Sequence, residues 1–181
     1  MTSWDELQAG LAHVRLSPVE VGTVTLIVRR PVEEEREVLA EGVLDAVAGL
    51  VGDCWRVRPS TKGPDWTPNP EKQLTLMNSR AAALVAGPIE RWPLVGDQLY
   101  VDLDLSEAAL PPGTRLRVGT AVVEITAATH RGCKKFGRRF GEDALRLVNS
   151  PVGCELRLRG VNARVVAGGV VRCGDAIHRH T

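Results

Sequence analysis

The chain has 181 residues, of which 44% are hydrophobic and 25% charged, the ordinary mixture of one globular domain with a core to bury. Disordered, collagenous and coiled-coil chains are excluded. Lys and Arg number 23 against 22 Asp and Glu, a net charge of +1, so no global field draws the protein to nucleic acid or a membrane, and a bound anion must be held by a local cluster.

The opening Met1-Thr2-Ser3-Trp4-Asp5-Glu6 lacks the basic start and apolar run of a secretory signal. No stretch reaches the ~20 apolar residues of a membrane span, and the expected location is the cytoplasm. Glu6–Leu16 has the pattern of an amphipathic helix, an N-terminal extension within residues 1–20 ahead of a main domain at 21–177 and a tail at 178–181. Thr23–Val28 is a β-branched run and predicts an early strand. Arg36–Leu50 is expected to be helical, ending before Gly52. Pro59–Pro70 carries Pro59, Pro64, Pro68 and Pro70 and predicts a long loop. Gln73–Met77 reads as a short strand, and Ser79 as the cap of an Ala-rich helical turn running to Gly87.

In Gln98–Leu105, Leu99, Val101, Leu103 and Leu105 alternate with polar residues, which predicts a strand facing the core on one side only. Leu116 and Val118 share one parity while Ala121, Val123 and Ile125 share the other, so a hairpin or bulge is expected at Gly119-Thr120. Phe136, Phe140, Ala144, Leu147 and Val148 form a helical stripe that Gly141 divides into two short helices. Leu156 and Leu158, then Val161, Ala163 and Val165, with Val170-Val171 after Gly168-Gly169, read as a last hairpin. Gly-Asp recurs at 52–53, 96–97 and 174–175 and reads each time as a turn. The end, His178-Arg179-His180-Thr181, is expected to fray. Short strands with few helices between them predict a mainly β protein, an antiparallel β-barrel with a few short helices.

The chain has no GxGxxG, GxxxxGK[ST], GxSxG or HExxH, so dinucleotide binding, P-loop hydrolysis, the hydrolase elbow and the common zinc-protease site lack support. Cys54, Cys133, Cys154 and Cys173 are widely spaced with no CxxC pair, and free thiols are expected in a reducing compartment. The segment from His130 to Arg139 stands apart. Arg131, Lys134, Lys135, Arg138 and Arg139 surround Cys133 with no carboxylate among them. Positive charge and the N–H groups of a helix start favour thiolate over thiol, which makes Cys133 a nucleophile or a soft-metal ligand beside a local anion site. His130, three residues earlier, is placed to accept the thiol proton. No Asp or Glu lies close enough in sequence to complete a hydrolytic triad, so such a partner has to come from elsewhere in the fold. Core packing or incidental exposure accounts for the other three cysteines, and His13 is expected on a helix surface. Only Phe136 interrupts the basic run as an aromatic, which argues against nucleic acid.

Taken together, Asn78-Ser79-Arg80, the run Pro93-Leu94-Val95-Gly96-Asp97 with Gln98–Ser106, Leu110-Pro111-Pro112-Gly113-Thr114, Gly132-Cys133-Lys134-Lys135-Phe136, Arg159-Gly160-Val161-Asn162 and Gly174-Asp175 resemble the MOSC domain. That domain is found at the C-terminus of molybdenum cofactor sulfurases and in small stand-alone bacterial proteins. The resemblance runs from about Val21 to Ile177 and lies in the combination rather than in any one piece. It implies a predominantly antiparallel β-barrel that binds molybdenum cofactor. It also implies one key cysteine, here Cys133, which carries sulfur as a persulfide or ligates molybdenum. Arg131 and Lys134 are then the expected partners of the pterin phosphate, with Arg80 and Asn78 as further cofactor-binding positions. Two departures stand out: Gly132 where many relatives have proline, and Cys54-Trp55 where many have a basic residue and histidine. No pyridoxal phosphate site is expected on this chain, so a sulfur-carrier role implies a separate cysteine desulfurase-type donor. A second implied activity is molybdenum-dependent reduction of N-hydroxylated compounds, which needs a separate reductase partner. The remaining alternative is a non-catalytic ligand-binding or interaction module on the same barrel, with an inert Cys133.

Overall fold

The computed structural model describes residues 2–57 and 67–180. In chain order its elements are α1 (Trp4–Arg15), β1 (Val21–Arg29), β2 (Glu37–Leu39), β3 (Glu41–Asp45), β4 (Gly49–Leu50), β5 (Leu74–Asn78), α2 (Ser79–Ala86), β6 (Leu99–Asp102), β7 (Arg115–Val118), β8 (Ala121–Ile125), α3 (Lys134–Phe140), α4 (Glu142–Asn149), α5 (Pro151–Glu155), β9 (Val161–Ala167), β10 (Gly169–Arg172) and β11 (Ala176–Arg179). Seven strands pair in the order β11-β7-β8-β9-β5-β6-β1, and β1 returns to β11 through Val21↔His178 and Gly22↔Ile177, which closes a barrel. β2 hangs on β1, while β10, β3 and β4 form a smaller separate sheet. Among the described residues no helix is long and apolar enough to cross a membrane.

The barrel is mixed, not antiparallel. β5 and β6 run parallel, with Leu76 opposite Leu99 and Asn78 opposite Val101, because the chain between them returns through α2 and the 3-10 turn Ile89–Leu94, the kind of crossover a parallel pair requires. The cap of α2 is Asn78 rather than Ser79. Its side-chain oxygen accepts from the N–H groups of Arg80 and Ala81, which satisfies donors that a helix start leaves free.

Side chains of alternate parity divide the interior from the outside. Val24, Leu76, Leu99, Val101, Leu116, Val123, Ala163 and Ile177 fill the barrel. The opposite parity, Leu26, Val28, Met77 and Tyr100, is covered by α1, α2 and the α3–α5 layer through Leu7, Leu11, Ala81, Phe136, Phe140 and Leu147. The expectation that Gln98–Leu105 faces the core on one side only is therefore corrected. Tyr100 is fully buried on the outer side, where its hydroxyl donates to the Trp92 carbonyl.

Three other expectations change. Arg36–Leu50 is not a helix but β2, β3 and β4. Leu39, Val43, Val47 and Leu50 imitate helical spacing, yet Val43 and Val47 are exposed and the buried residues of β3 are Gly42 and Leu44. Gly42 fits against Leu50 and Ile27 and contributes nothing to an apolar pattern. The last hairpin is also absent: Leu156–Leu158 follow α5, and Gly168-Gly169 is a corner where the chain leaves β9 to pair β10 with β3. The expected fraying tail instead contributes His178 to β11, paired with both Val21 and Arg117. The hairpin at Gly119-Thr120 forms as β7 and β8, and Gly141 at φ 100° separates α3 from α4. The proline-rich loop falls mostly on residues 58–66, outside the described residues, and Pro70 opens a 3-10 turn to Lys72.

Candidate functional site

One side of the barrel's helical layer holds a cavity of about 330 Å³. Four arginines that line it come from three parts of the chain, Arg30 and Arg36 from the β1–β2 connection, Arg139 from α3 and Arg159 from the segment before β9, and Lys72, Lys135 and Arg131 join them. No carboxylate is among the described residues lining it, although three stand behind the wall. Asp53 takes Arg30 through both oxygens at 2.8 and 2.9 Å. Asp97 takes Arg159 at 2.5 Å, and Glu34 pairs with Lys135 and with Arg139. Arg30, Arg139 and Arg159 are thus each held by a carboxylate, and guanidiniums so fixed suit bidentate anion recognition. Arg36 bonds only to the carbonyls of Pro93 and Glu35. Burial first, then the neighbouring Arg30 and Arg139, push its pKa down, the electrostatic signature of a crowded cationic wall.

Cys133 is exposed on this wall as the N-cap residue of α3. Phe136 and Phe140 anchor α3 below it, and the Arg159 guanidinium lies 5.5 Å from the Phe136 ring centroid. The segment before Cys133 is held to α4 by Asn149, whose amide accepts from the Gly132 N–H at 2.9 Å and donates to the Gly132 carbonyl at 3.0 Å. A proline at 132 would have no N–H to give. Even a Cβ there would fall 2.7 Å from Val148, so Gly132 and Asn149 form one coupled solution to fixing the loop.

The predicted site residues divide. His130, Arg131 and Cys133 meet at the cavity. His130 and Arg131 also line a second, smaller cavity of about 100 Å³, where Arg131 donates to Cys154 Sγ. Lys134 is exposed but does not line either cavity, and Arg80 and Asn78 lie elsewhere. Arg80 forms a bidentate pair with Asp102 at 2.7 and 3.1 Å. The Asn78 side chain, besides capping α2, donates to Ser17 and to the Leu103 carbonyl. Sequence reasoning missed Arg30, Arg36, Lys72, Trp55 and Arg159 as cavity residues. The signal that pointed to two of them was the repeated Gly-Asp pair: at 52–53 and 96–97 the aspartate is not only a turn residue but the buried counter-charge of a cavity arginine.

His130 does not stand alone either. Its Nδ1 is 3.6 Å from Asp97 Oδ1, so the carboxylate that local sequence could not supply comes from the loop before β6. Burial foremost, then Arg159, lowers its pKa to about 4, and it is neutral at physiological pH. The unfolded chain has an ordinary histidine near 6.5 and takes up a proton that the folded protein refuses. Stability is therefore expected to be complete above pH 6.5 and to fall by on the order of 3 kcal/mol as pH drops through the window down to about 4. Urea unfolding across that range checks it, and His130→Gln should lack this component.

The family model described as MOSC domain matches residues 63–178. The chain belongs to the MOSC domain family. This family is associated with the molybdenum cofactor. Solved structures with the same fold include the YuaD protein of Bacillus subtilis, at 15% identity and TM-score 0.67 over 89% of this chain and 97% of that one. YiiM of Escherichia coli matches at 18% identity and TM-score 0.56, covering 88% and 70%. YiiM of Geobacillus stearothermophilus matches at 15% and 0.56, covering 88% and 75%. At such identities the likeness shows the fold alone. No curated protein matches the chain. Within this MOSC domain Cys133 and most of the cavity's lining residues lie inside the matched segment, while Arg30, Arg36 and Trp55 precede it.

Proposed function

We propose that this MOSC domain binds molybdenum cofactor in the basic cavity and that Cys133 serves there as molybdenum ligand or sulfur carrier. The observation that carries the reading is an exposed thiol on the wall of a cavity lined by seven cationic side chains. The residues suit the group. A volume of about 330 Å³ falls in the range of small-molecule sites, the guanidiniums match a phosphate, and Trp55 contributes aromatic surface. Among the described residues no three His, Cys, Asp or Glu side chains cluster to hold a bare metal ion. A metal here would need ligands of its own, as the cofactor's pterin provides.

When bound, the cofactor supplies a redox-active metal that exchanges oxygen or sulfur ligands. The chain's own parts in this are separable. Arg30, Arg36, Arg139 and Arg159 hold the anionic end, and the Gly132–Asn149 clamp fixes where the Cys133 sulfur sits. In the carrier role the Cys133 thiolate attacks the outer sulfur of a donor persulfide. A new S–S bond forms at Cys133 while the donor's S–S bond breaks, and the donor leaves as thiolate. A cysteine desulfurase-type protein fits as that donor, and an electron-transfer partner fits a redox role.

The test is the molybdenum and pterin content of protein purified from cells that make the cofactor, with persulfide loading of the same samples. Wild type is expected to retain both, and Cys133→Ala to fall by more than about tenfold in one of the two measures. Equal values for both proteins in both measures would remove Cys133 from the function. Absence of metal and pterin from wild type, with persulfide loading intact, would leave only the carrier role.

A further inference from the structure

We infer that Asp97 is a positioning residue that fixes the tautomer of His130, so that His130 Nε2 faces the cavity as a hydrogen-bond acceptor and selects anions that retain an O–H or N–H proton. This deepens the cofactor-site reading and rests on it for the cavity being a ligand site.

Three buried side-chain atoms have no hydrogen-bond partner among the described residues: Asp97 Oδ1, His130 Nδ1 and Arg159 Nε. Buried polar atoms are almost always partnered, and exceptions concentrate at functional sites. These three belong to one cluster. Arg159 Nη1 donates to Asp97 Oδ2 at 2.5 Å as the counter-charge of the wholly buried carboxylate, and His130 Nδ1 faces the other oxygen at 3.6 Å. That distance is longer than a hydrogen bond, and such contacts commonly tighten when a ligand arrives.

The direction of the proton follows from what faces it. A neutral imidazole has one N–H. With that proton on Nε2, the Nδ1 lone pair would oppose an anionic oxygen, and with it on Nδ1, the N–H points at the carboxylate. The groups facing the ring are Arg159, Asp97, Arg30 and Lys72, and burial first, then Arg159 and the other two cations, keeps the imidazole from charging. Nε2 therefore carries a lone pair. It has no partner among the described residues, and the ring borders both this cavity and the smaller one.

The consequence is chemical selectivity. Arg30, Arg36, Arg139 and Arg159 offer only donors, so any anion satisfies them. His130 adds an acceptor at a fixed place. An anion with a proton to give meets it with a hydrogen bond, while a fully deprotonated one sets an oxygen against a lone pair. Sites that hydrogen-bond a ligand O–H reject analogues lacking it, because the buried partner is left unpaired.

Hydrogen phosphate and sulfate are the natural probes, since at about pH 8 both are tetrahedral dianions and only one keeps a proton. Calorimetric titration of the purified protein is expected to give tighter binding of hydrogen phosphate than of sulfate by more than about tenfold. His130→Leu should abolish that preference, and His130→Gln, which restores an acceptor oxygen, should recover part of it. Nitrogen-15 spectra of labelled histidine should place the His130 proton on Nδ1 in wild type and lose that signature in Asp97→Asn. Equal or tighter sulfate binding by wild type, or binding of neither anion, would overturn the selectivity. A proton found on Nε2 would overturn the positioning role. Failure of the cofactor reading is separate, since it appears as missing metal and pterin with the tautomer and the anion preference intact.

Discussion

Asp97→Ala is expected to destabilise the protein by about 3–5 kcal/mol, seen as a lowered urea midpoint at unchanged slope. Asp97 is 0% exposed, and its partner Arg159 is buried with Nη2 on the Val95 carbonyl at 3.0 Å. Removing the carboxylate leaves a guanidinium inside the protein without a counter-charge, and the desolvation that the pair had offset is no longer compensated. Asp97→Leu combined with Arg159→Met removes both charges and should recover most of the loss. The comparison is Arg172–Glu41, whose side chains are 57% and 48% exposed; breaking it should cost less than about 1 kcal/mol. A loss at Asp97 no greater than at Glu41 would mean that water reaches the pair and that the cavity floor is not sealed.

Gly160→Ala is expected to cost more than about 2 kcal/mol, measured in the same way. Gly160 sits at φ 98°, and a Cβ there would fall 2.4 Å from the Leu76 carbonyl oxygen and 3.3 Å from Asp97 Oδ1. The clash is with the backbone of β5, which no side-chain rotation relieves, so β9 would have to move away from β5 just where the barrel meets the Asp97–Arg159 pair. Gly113 separates the two causes. Its φ is 88° with nothing within 4 Å of the built Cβ, so Gly113→Ala should show the conformational penalty alone, about 1 kcal/mol. Equal effects at the two glycines would show that β9 gives way easily and that the site floor is soft.

What the sequence made legible follows from the range over which each signal acts. The β7–β8 hairpin, the division of α3 from α4 at Gly141 and the location of Cys133 at a helix start are local, and each is written in a few adjacent residues. The parallel pairing of β5 and β6 is not, because the alternation of Leu74–Asn78 or Leu99–Asp102 is the same in either direction. β3 escaped because Gly42, which packs as a core residue, has no apolar side chain, while exposed Val43 and Val47 supplied a misleading helical stripe. The site divides along the same line. His130, Arg131 and Cys133 are close in sequence and were found together. Arg30, Arg36 and Arg159 reach the cavity from distant strands and loops, and Asp53 and Asp97, the buried partners of Arg30 and Arg159, looked like turn residues. Arg80 shows the converse, since a motif position does not reveal that Asp102, on the neighbouring strand β6, pairs with its guanidinium.

The closure of the barrel by β1 against β11 joins residues near opposite ends of the chain. A ribosome releases β1 long before Ala176–Arg179 exists, so during synthesis β1 and β7 present open edges that only the last strand covers. Folding must wait for this non-local contact, which places the barrel among slow, topologically demanding folds. A nascent chain stalled short of β11 would expose those edges to other chains, and aggregation of truncated products is the form that failure would take.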